Sequence, residues 1–212
     1  GGGDVAEGRY RLVAVVTSGG QRASRTASVV VDRTLGAFVA RPTPFSPNGD
    51  ARRDTLFLRF QLARAAAVRV QIVHGSRTVA TLLSGTFTAG PRALSWNGRA
   101  GGAALADGRY RAVVGATTEL GTRRLGGEVV LDTRKPRLSQ LSASRSAGGT
   151  LVRLRLSEPA LLVVRIGTRT FTAKGQAGAV RVWRPALAGR VEVVASDAAG
   201  NTSPPLVVSV AG

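Results

Sequence analysis

The stretch TLFLRFQL, residues 55–62, alternates apolar side chains with other residues, and this alternation decides the fold class. Leu56, Leu58, Phe60 and Leu62 recur at every second position, so they lie on one face of an extended strand. The same period recurs in AVRVQIV, LVRLRLS and LLVVRI, and turn-forming pairs such as Asn-Gly and Gly-Gly separate the runs. Short strands at this spacing predict an all-β chain of tandem antiparallel Ig-like β-sandwich modules.

An internal repeat predicts where the modules begin and end. Residues 5–34 align without a gap with residues 105–134, so that one GRYR falls on the other, and a weaker third copy covers residues 188–210. Each copy is expected to close one structural unit. We therefore expect three parts, which are the C-terminal strands of a truncated Ig-like module (1–34), a complete module (35–134) and a shorter Ig-like or fibronectin-like module (135–212).

The chain is strongly basic, with 30 basic residues, 12 acidic residues and a net charge of +18. All of the basic residues except Lys135 and Lys174 are arginine. Arg53 aside, the arginines mostly alternate with apolar residues, and they are spread over the whole chain. That pattern is typical of the solvent-facing side of strands. An anionic partner, such as a cell-wall polymer or polysaccharide, is the alternative explanation. Nucleic acid is not favoured, because bases stack on aromatic side chains and only 5% of this chain is aromatic.

Several classes of site are excluded by composition. The chain has no cysteine, which removes disulfides, thiol catalysis and cysteine-ligated metals together. It has no run of about 18 apolar residues, so no membrane-spanning helix is expected. The start GGG, without a signal-like segment, leads us to expect a piece of a longer protein.

Three motifs in order give the chain a resemblance to a known family. They are FSPNGDARRD at 45–54, WNGR at 96–99 and ADGRY at 106–110. With them, residues 42–117 resemble the Ig-like domain of the flagellar hook-capping protein family, whose patterns are F-S-P-N-G-D-G-x-x-D, W-D-G and P-x-G-x-Y; residues 5–34 resemble a second, partial copy. Two departures from these patterns are Ala51 in place of glycine and Asn97 in place of aspartate. A non-glycine residue at position 51 would cost about 1–2 kcal/mol if the backbone there needs a positive φ.

The resemblance implies a non-catalytic structural or interaction module of an exported bacterial protein, secreted or on the cell surface. Such a module would serve as a spacer, an adhesion module or an assembly scaffold. One alternative is an accessory region of a secreted enzyme whose catalytic domain lies upstream. Another is a carbohydrate-binding or cell-wall-binding module, which would display exposed, coplanar aromatic side chains.

One metal site is conceivable, in the stretch FSPNGDARRDTL at 45–56. Asn48, Asp50 and Asp54 offer side-chain oxygens at i, i+2 and i+6, and calcium binds several hard oxygens from a short loop. The other interpretation is structural: Asn48 and Asp50 form Asx turns, and Asp54 caps or pairs where the first core strand begins. Arg52 and Arg53 lie in the same loop and repel a cation.

Catalysis is not expected. The single histidine, His74, ends a strand and is interpreted as an exposed turn residue, and Glu158 as a turn or salt-bridge residue. No nucleophile elbow or carboxylate pair accompanies them. The large aromatic residues Trp96, Tyr110 and Trp183 lie in predicted strands, and we expect them to pack in cores rather than to bind sugar.

Overall fold

The fold is entirely β-structure over the described residues, which are 4–146, 148–185 and 188–210 of a computed structural model. This confirms the fold class expected from the alternating pattern. No helix in these ranges is long and apolar enough to cross a membrane. Contacts divide the chain into two compact units. The first comprises the chain up to Arg41, Leu56–Leu105 and Arg109–Val129, and the second comprises Pro42–Thr55, Ala106–Gly108 and the chain from Val130 onward.

The first unit contains most of the first eleven strands. They are β1 (Gly8–Ser18), β2 (Gln21–Val31), β3 (Leu35–Arg41), β4 (Leu56–Leu62), β5 (Ala66–His74), β6 (Arg77–Phe87), β7 (Gly90–Trp96), β8 (Arg99–Ala100), β9 (Ala103–Ala104), β10 (Gly108–Thr118) and β11 (Gly121–Leu131). Two larger sheets have the orders β3-β4-β7 and β11-β10-β5-β6, while β8-β9 and β1-β2 are two-stranded.

Strand β4 illustrates how the sequence builds this unit. Its buried residues are Leu56, Leu58, Phe60 and Leu62, each at most 2% exposed, and the residues between them face solvent. Because side chains alternate between the faces of a strand, one face of the β3-β4-β7 sheet lies in a core and the other in water. Strands β5 and β10 show the same alternation on the other sheet.

The second unit contains the last seven strands. They are β12 (Leu138–Ser146), β13 (Gly149–Leu156), β14 (Ala160–Ile166), β15 (Arg169–Gly175), β16 (Gly178–Arg184), β17 (Gly189–Ser196) and β18 (Leu206–Val210). They form two antiparallel sheets, β12-β13-β16 and β15-β14-β17-β18. Residues of both sheets, such as Leu154 and Leu162, belong to one buried apolar cluster, which is the arrangement of a β-sandwich.

The boundaries expected from the repeat, at 34/35 and 134/135, describe the order of modules along the chain and stay a prediction. The contacts add one fact to it. Residues 42–55, which carry the FSPNGD motif, belong to the second unit, together with the chain from Val130 onward.

Candidate functional site

The loop that contains Asn48, Asp50 and Asp54 is held by hydrogen bonds from its own backbone. The two carboxylate oxygens of Asp54 accept from the N–H groups of Gly49 and Ala51, at 3.0 and 2.7 Å. Asn48 Oδ1 accepts from the N–H of Asp50, and Asp50 Oδ1 from that of Arg52, as in Asx turns. The oxygens therefore close the loop in this structure.

Calcium binding by these three residues stays a prediction. A thermal melt with and without EDTA tests it, because an ion that binds only the folded state raises the melting temperature. A lower melting temperature in EDTA would support the ion. An unchanged one would argue against a structural ion at Asn48, Asp50 and Asp54.

The backbone of the same loop contains two non-glycine residues in the left-handed region, Ala51 with φ of 64° and Arg53 with φ of 52°. The glycine that the hook-capping pattern has in place of Ala51 would take this conformation without strain. Position 51 thus has the positive φ on which the cost of a non-glycine residue depends, about 1–2 kcal/mol.

A buried asparagine far along the chain binds this loop. Asn201 is fully buried, and its Oδ1 accepts from Ser46 Oγ at 2.6 Å and from Asn48 Nδ2 at 3.0 Å. Its Nδ2 donates to the backbone oxygen of Asp132 and to Asp197 Oδ2. Arg53 adds a 2.6 Å bond to the backbone oxygen of Ala198. The loop is thus anchored by the SDAAGNTS turn at 196–203, a partner that the sequence did not predict.

Three carboxylates meet beside this asparagine. Asp132, Glu158 and Asp197 each place an oxygen within 4.8 Å of the other two. Each of the three residues lies just after a strand. This shared position is the one feature of the sequence that could have predicted that they come together. Such hard oxygens are of the kind that calcium binds. Without a cation, their negative charges repel one another.

Burial and the repulsion between the carboxylates shift the pKa values of two residues in the cluster. Burial raises the pKa of Asp132, and Asp197 and Asp107 raise it further, against the hydrogen bond from the Arg134 N–H. Burial likewise raises the pKa of Glu158, with Asp132 and Asp197 adding to the effect. Both groups therefore retain their protons to higher pH than an isolated carboxyl group does.

The residues considered for catalysis lie apart. His74 is exposed at the end of β5, as expected, and its ring centroid lies 5.1 Å from that of Tyr110. Glu158 belongs to the acidic cluster of the second unit and accepts a bond from Ser157 Oγ at 3.3 Å. Among the described residues, no side-chain hydrogen bond or ion pair joins His74 to Glu158 or to a serine.

The aromatic residues divide into buried and exposed ones. Trp96 and Tyr110 are buried, at 4% and 7%, in an edge-to-face arrangement with centroids 6.2 Å apart. The prediction of core packing is confirmed for both. For Trp183 it is wrong, because this side chain is 54% exposed. The physical reason is the register of β16, whose inward residue is the neighbouring Val182.

The hairpin of β1 and β2 exposes to solvent a face whose side chains are apolar, like those of a protein core. Tyr10 pairs with Val29 and Leu12 with Ala27, so that alternate residues of both strands lie on one face. Leu12 is 61% exposed and Val16 66%. Among the described strands, β1 pairs only with β2, so its other edge carries unpaired backbone groups. The contacts at its base include bonds from Arg9 to the backbone oxygens of Glu119 and Leu120.

The later copy of this hairpin is covered. In β10 and β11, the residues 100 positions further on are buried, and β10 also pairs with β5. These buried counterparts of Tyr10, Leu12, Ala14, Val16 and Val29 are Tyr110, Ala112, Val114, Ala116 and Val129. The exposed hairpin therefore has the residue pattern of a sandwich's closing hairpin.

Comparison with known proteins finds only distant structural similarities. No known family model matches the chain, and no curated protein matches it. The chain is similar to the fibronectin(III)-like modules of Clostridium thermocellum CbhA, with 15% identity, a TM-score of 0.45, and coverage of 82% of this chain and 93% of that one. It is also similar to the Salmonella enterica SafA pilin in complex with the SafB chaperone (11% identity, TM-score 0.35, coverage 82% and 96%) and to titin Ig tandem domains A164-A165 (13%, 0.29, 83% and 96%).

The chain's own strands define its class: it is an all-β protein of antiparallel sheets, of the Ig-like β-sandwich kind. At such low identities and TM-scores these neighbours carry no argument about what the chain does, and nothing in them singles out the hook-capping family.

Proposed function

We propose that this chain is a non-catalytic structural and interaction module of an exported bacterial protein, located outside the cell or on its surface. The observation that carries the proposal is the β1–β2 hairpin, whose apolar face and open strand edge match a hairpin that is covered in the same chain. An open strand edge can pair with a further strand, and an exposed apolar face can pack against one. Spacing, adhesion and assembly all depend on such joining of modules.

In this proposal, residues 1–34 are the closing strands of one Ig-like module, and the strands that complete it are of the kind found in residues 35–104. Residues 35–134 form a second module, of hook-capping type by its motifs, and residues 135–212 form a third, shorter one. The alternating apolar pattern of β1 and its agreement with β10 support this order of modules. The hook-capping resemblance adds the expectation that the module takes part in assembling a surface structure.

A chimera tests the completion of the hairpin. Residues 35–104 are duplicated and joined directly to residue 5, so that the copy precedes β1 as the original precedes β10. If the added strands cover the hairpin, amide hydrogen exchange in β1 should slow by about tenfold or more, because its edge becomes paired and buried.

A matched chimera with Ala14→Asp serves as the control, since a charge on the covered face blocks packing. In it, β1 should exchange as fast as in the parent chain. Equal exchange rates in the unmodified chimera and the parent would contradict the proposal. Fractionation of cells producing the full-length protein tests export separately, and finding it only in the cytoplasm would remove the surface role.

Assembly predicts self-association, which light scattering measures over a range of concentrations. A strict monomer at high concentration would count against a hook-cap-like scaffold and would favour a spacer or an accessory region of a secreted enzyme.

A second candidate function is binding of an anionic polymer or polysaccharide. The exposed side chain of Trp183 favours it, because a carbohydrate-binding module needs an aromatic surface in solvent.

A further inference from the structure

The outer face of one sheet in the second unit combines an exposed tryptophan with arginines. In the register of β13 and β16, Leu151 pairs with Trp183 and Arg153 with Arg181. Val152, Leu154 and Val182, which alternate with the arginines and Trp183 along the two strands, belong to the core. Side chains of a strand alternate between its faces, so Trp183, Arg181, Arg153 and Arg155 share the solvent side. We call these four residues the Arg–Trp face.

The charges of the Arg–Trp face are not neutralised by the protein. Arg153 lies directly opposite Arg181, and like charges in this position destabilise a sheet. Strands β12, β13 and β16 contain no acidic residue. Among the ion pairs of the described residues, none involves these arginines, and Arg153 donates only to Ser144 Oγ, at 3.3 Å.

The other sheet of the same unit shows the opposite arrangement. On it, Glu192 lies between Arg165 and Arg190, at 3.4 and 3.6 Å from their guanidinium nitrogens. Arginines on an outer face of this sandwich are thus paired with a carboxylate on one sheet and left without one on the other. The arginines on the outer face of the β13 and β16 sheet are therefore available to bind carboxylates from outside the chain.

Trp183 specifies more than charge. This residue is 54% exposed, and its Cα lies about 7 Å, two residues along β16, from that of Arg181. An aromatic ring offers a flat apolar surface, and the C–H face of a pyranose ring stacks on such a surface. Arginine binds carboxylate through two parallel hydrogen bonds. A single aromatic residue does not provide the successive platforms that nucleic-acid bases need.

We propose that the Arg–Trp face binds an acidic polysaccharide, with one pyranose ring stacked on Trp183 and the carboxylates of neighbouring sugar units held by Arg181, Arg153 and Arg155. The site rests on the proposed function, because it specifies the ligand class for the second candidate function, binding of an anionic polymer.

Polygalacturonate is the probe, with poly-glutamate and dextran beside it, and binding is measured by affinity electrophoresis at several salt concentrations. The chain should bind polygalacturonate more tightly than poly-glutamate, which lacks sugar rings, and dextran, which lacks charge, should not bind. Arg153→Gln/Arg181→Gln should weaken polygalacturonate binding by about tenfold or more, since charge-assisted hydrogen bonds are lost. Added salt should weaken it as well.

Arg22→Gln/Arg25→Gln is the matched control, because it removes the same charge from exposed positions of the hairpin. It should leave binding within about twofold of the parent if the Arg–Trp face is a site. Trp183→Ala keeps all charges and should weaken polygalacturonate but not poly-glutamate binding. All these residues are exposed, and unchanged thermal melts verify that each variant is folded.

Equal losses in the two double variants would overturn the site and leave a general attraction to anions. Equal binding of polygalacturonate by Trp183→Ala and the parent would overturn the stacking and with it the preference for sugar. Absence of polygalacturonate binding by the parent would overturn the site as a whole. None of these results changes the outcome of the chimera experiment, so failure of the site and failure of the structural role are distinguishable.

Discussion

The hairpins β1–β2 and β10–β11 have the same sequence frame and opposite environments. Tyr10 and Tyr110 occupy equivalent positions, yet the first is 39% exposed and the second 7%. The residues of each hairpin allow both situations, and neighbouring strands decide which one occurs. Burial in a sandwich is therefore a property of the completed module rather than of a strand, as expected when pairs of strands alone are marginally stable.

The largest effect should come from a charge placed on the shared face. Val114→Asp puts a carboxylate into a fully buried position and should cost about 4 kcal/mol or more, enough to unfold the first unit. Ala14→Asp, at the equivalent exposed position, should change the free energy of unfolding by less than about 0.5 kcal/mol. Urea denaturation measures both.

The comparison of Ala14→Asp with Val114→Asp gives a stricter test in the chimera with the duplicated residues 35–104. There, Ala14→Asp should become strongly destabilising, because its side chain now faces a core. If Ala14→Asp already costs as much as Val114→Asp in the parent chain, the two hairpins do not differ in burial.

A smaller effect should follow from truncation. Val129→Ala removes two methyl groups from a fully buried site and should cost about 2–3 kcal/mol, whereas Val29→Ala should cost less than about 0.5 kcal/mol. Chemical denaturation followed by tryptophan fluorescence reports the difference, since Trp96 is buried in the same unit. Equal losses from the two substitutions would contradict the comparison.

The smallest effect should differ in sign between the copies. Asp32 and Asp132 end the two hairpins at equivalent positions. Burial alone would raise the pKa of Asp32, but the hydrogen bonds from Thr34 and the charges of Arg64 and Arg123 together lower it. Burial and neighbouring carboxylates raise that of Asp132. A lowered pKa stabilises the fold above the ordinary value of an aspartate, and this stabilisation is lost as pH falls through the folded-state pKa.

For Asp132 the sign is reversed: its stabilising contribution is present at low pH and is lost as pH rises from the ordinary value through the raised pKa. At pH 7, Asp32→Asn should therefore destabilise and Asp132→Asn stabilise, each by less than about 1 kcal/mol because solvent screens both sites. Melting curves in a calcium-free buffer at pH 7 and at pH 3 test this. Shifts of the same sign at pH 7 would contradict the opposite directions of the two pKa shifts.

The sequence was sufficient to predict the strands. It was insufficient to predict which face of a strand is buried and which distant segments contact it. Alternation correctly predicted β4, because a period of two survives whatever the neighbouring strand is. It did not place Trp183, since one shift of register exchanges the inward and outward faces of a strand. Trp96 faces inward and Trp183 faces outward because their strands have different registers. In the sequence, both are simply aromatic residues within strands, so the difference could not be predicted.

Long-range contacts were the other missing part. The turn-forming bonds of Asn48 and Asp50 are local and followed from residue type. The contacts of Ser46 and Asn48 with Asn201, and the meeting of Asp132 with Glu158 and Asp197, depend on how distant turns come together. Period and composition have no information on such distances.

The bonds to Asn201 also have a consequence for synthesis. Ser46 lies 155 residues before its partner, so the FSPNGD loop leaves the ribosome long before the residue that anchors it exists. Contacts over such sequence separation form late, because the loop between them must first be closed. We expect nascent chains that end before residue 196 to carry this loop without its anchor, open to proteases until the turn at 196–203 has been made.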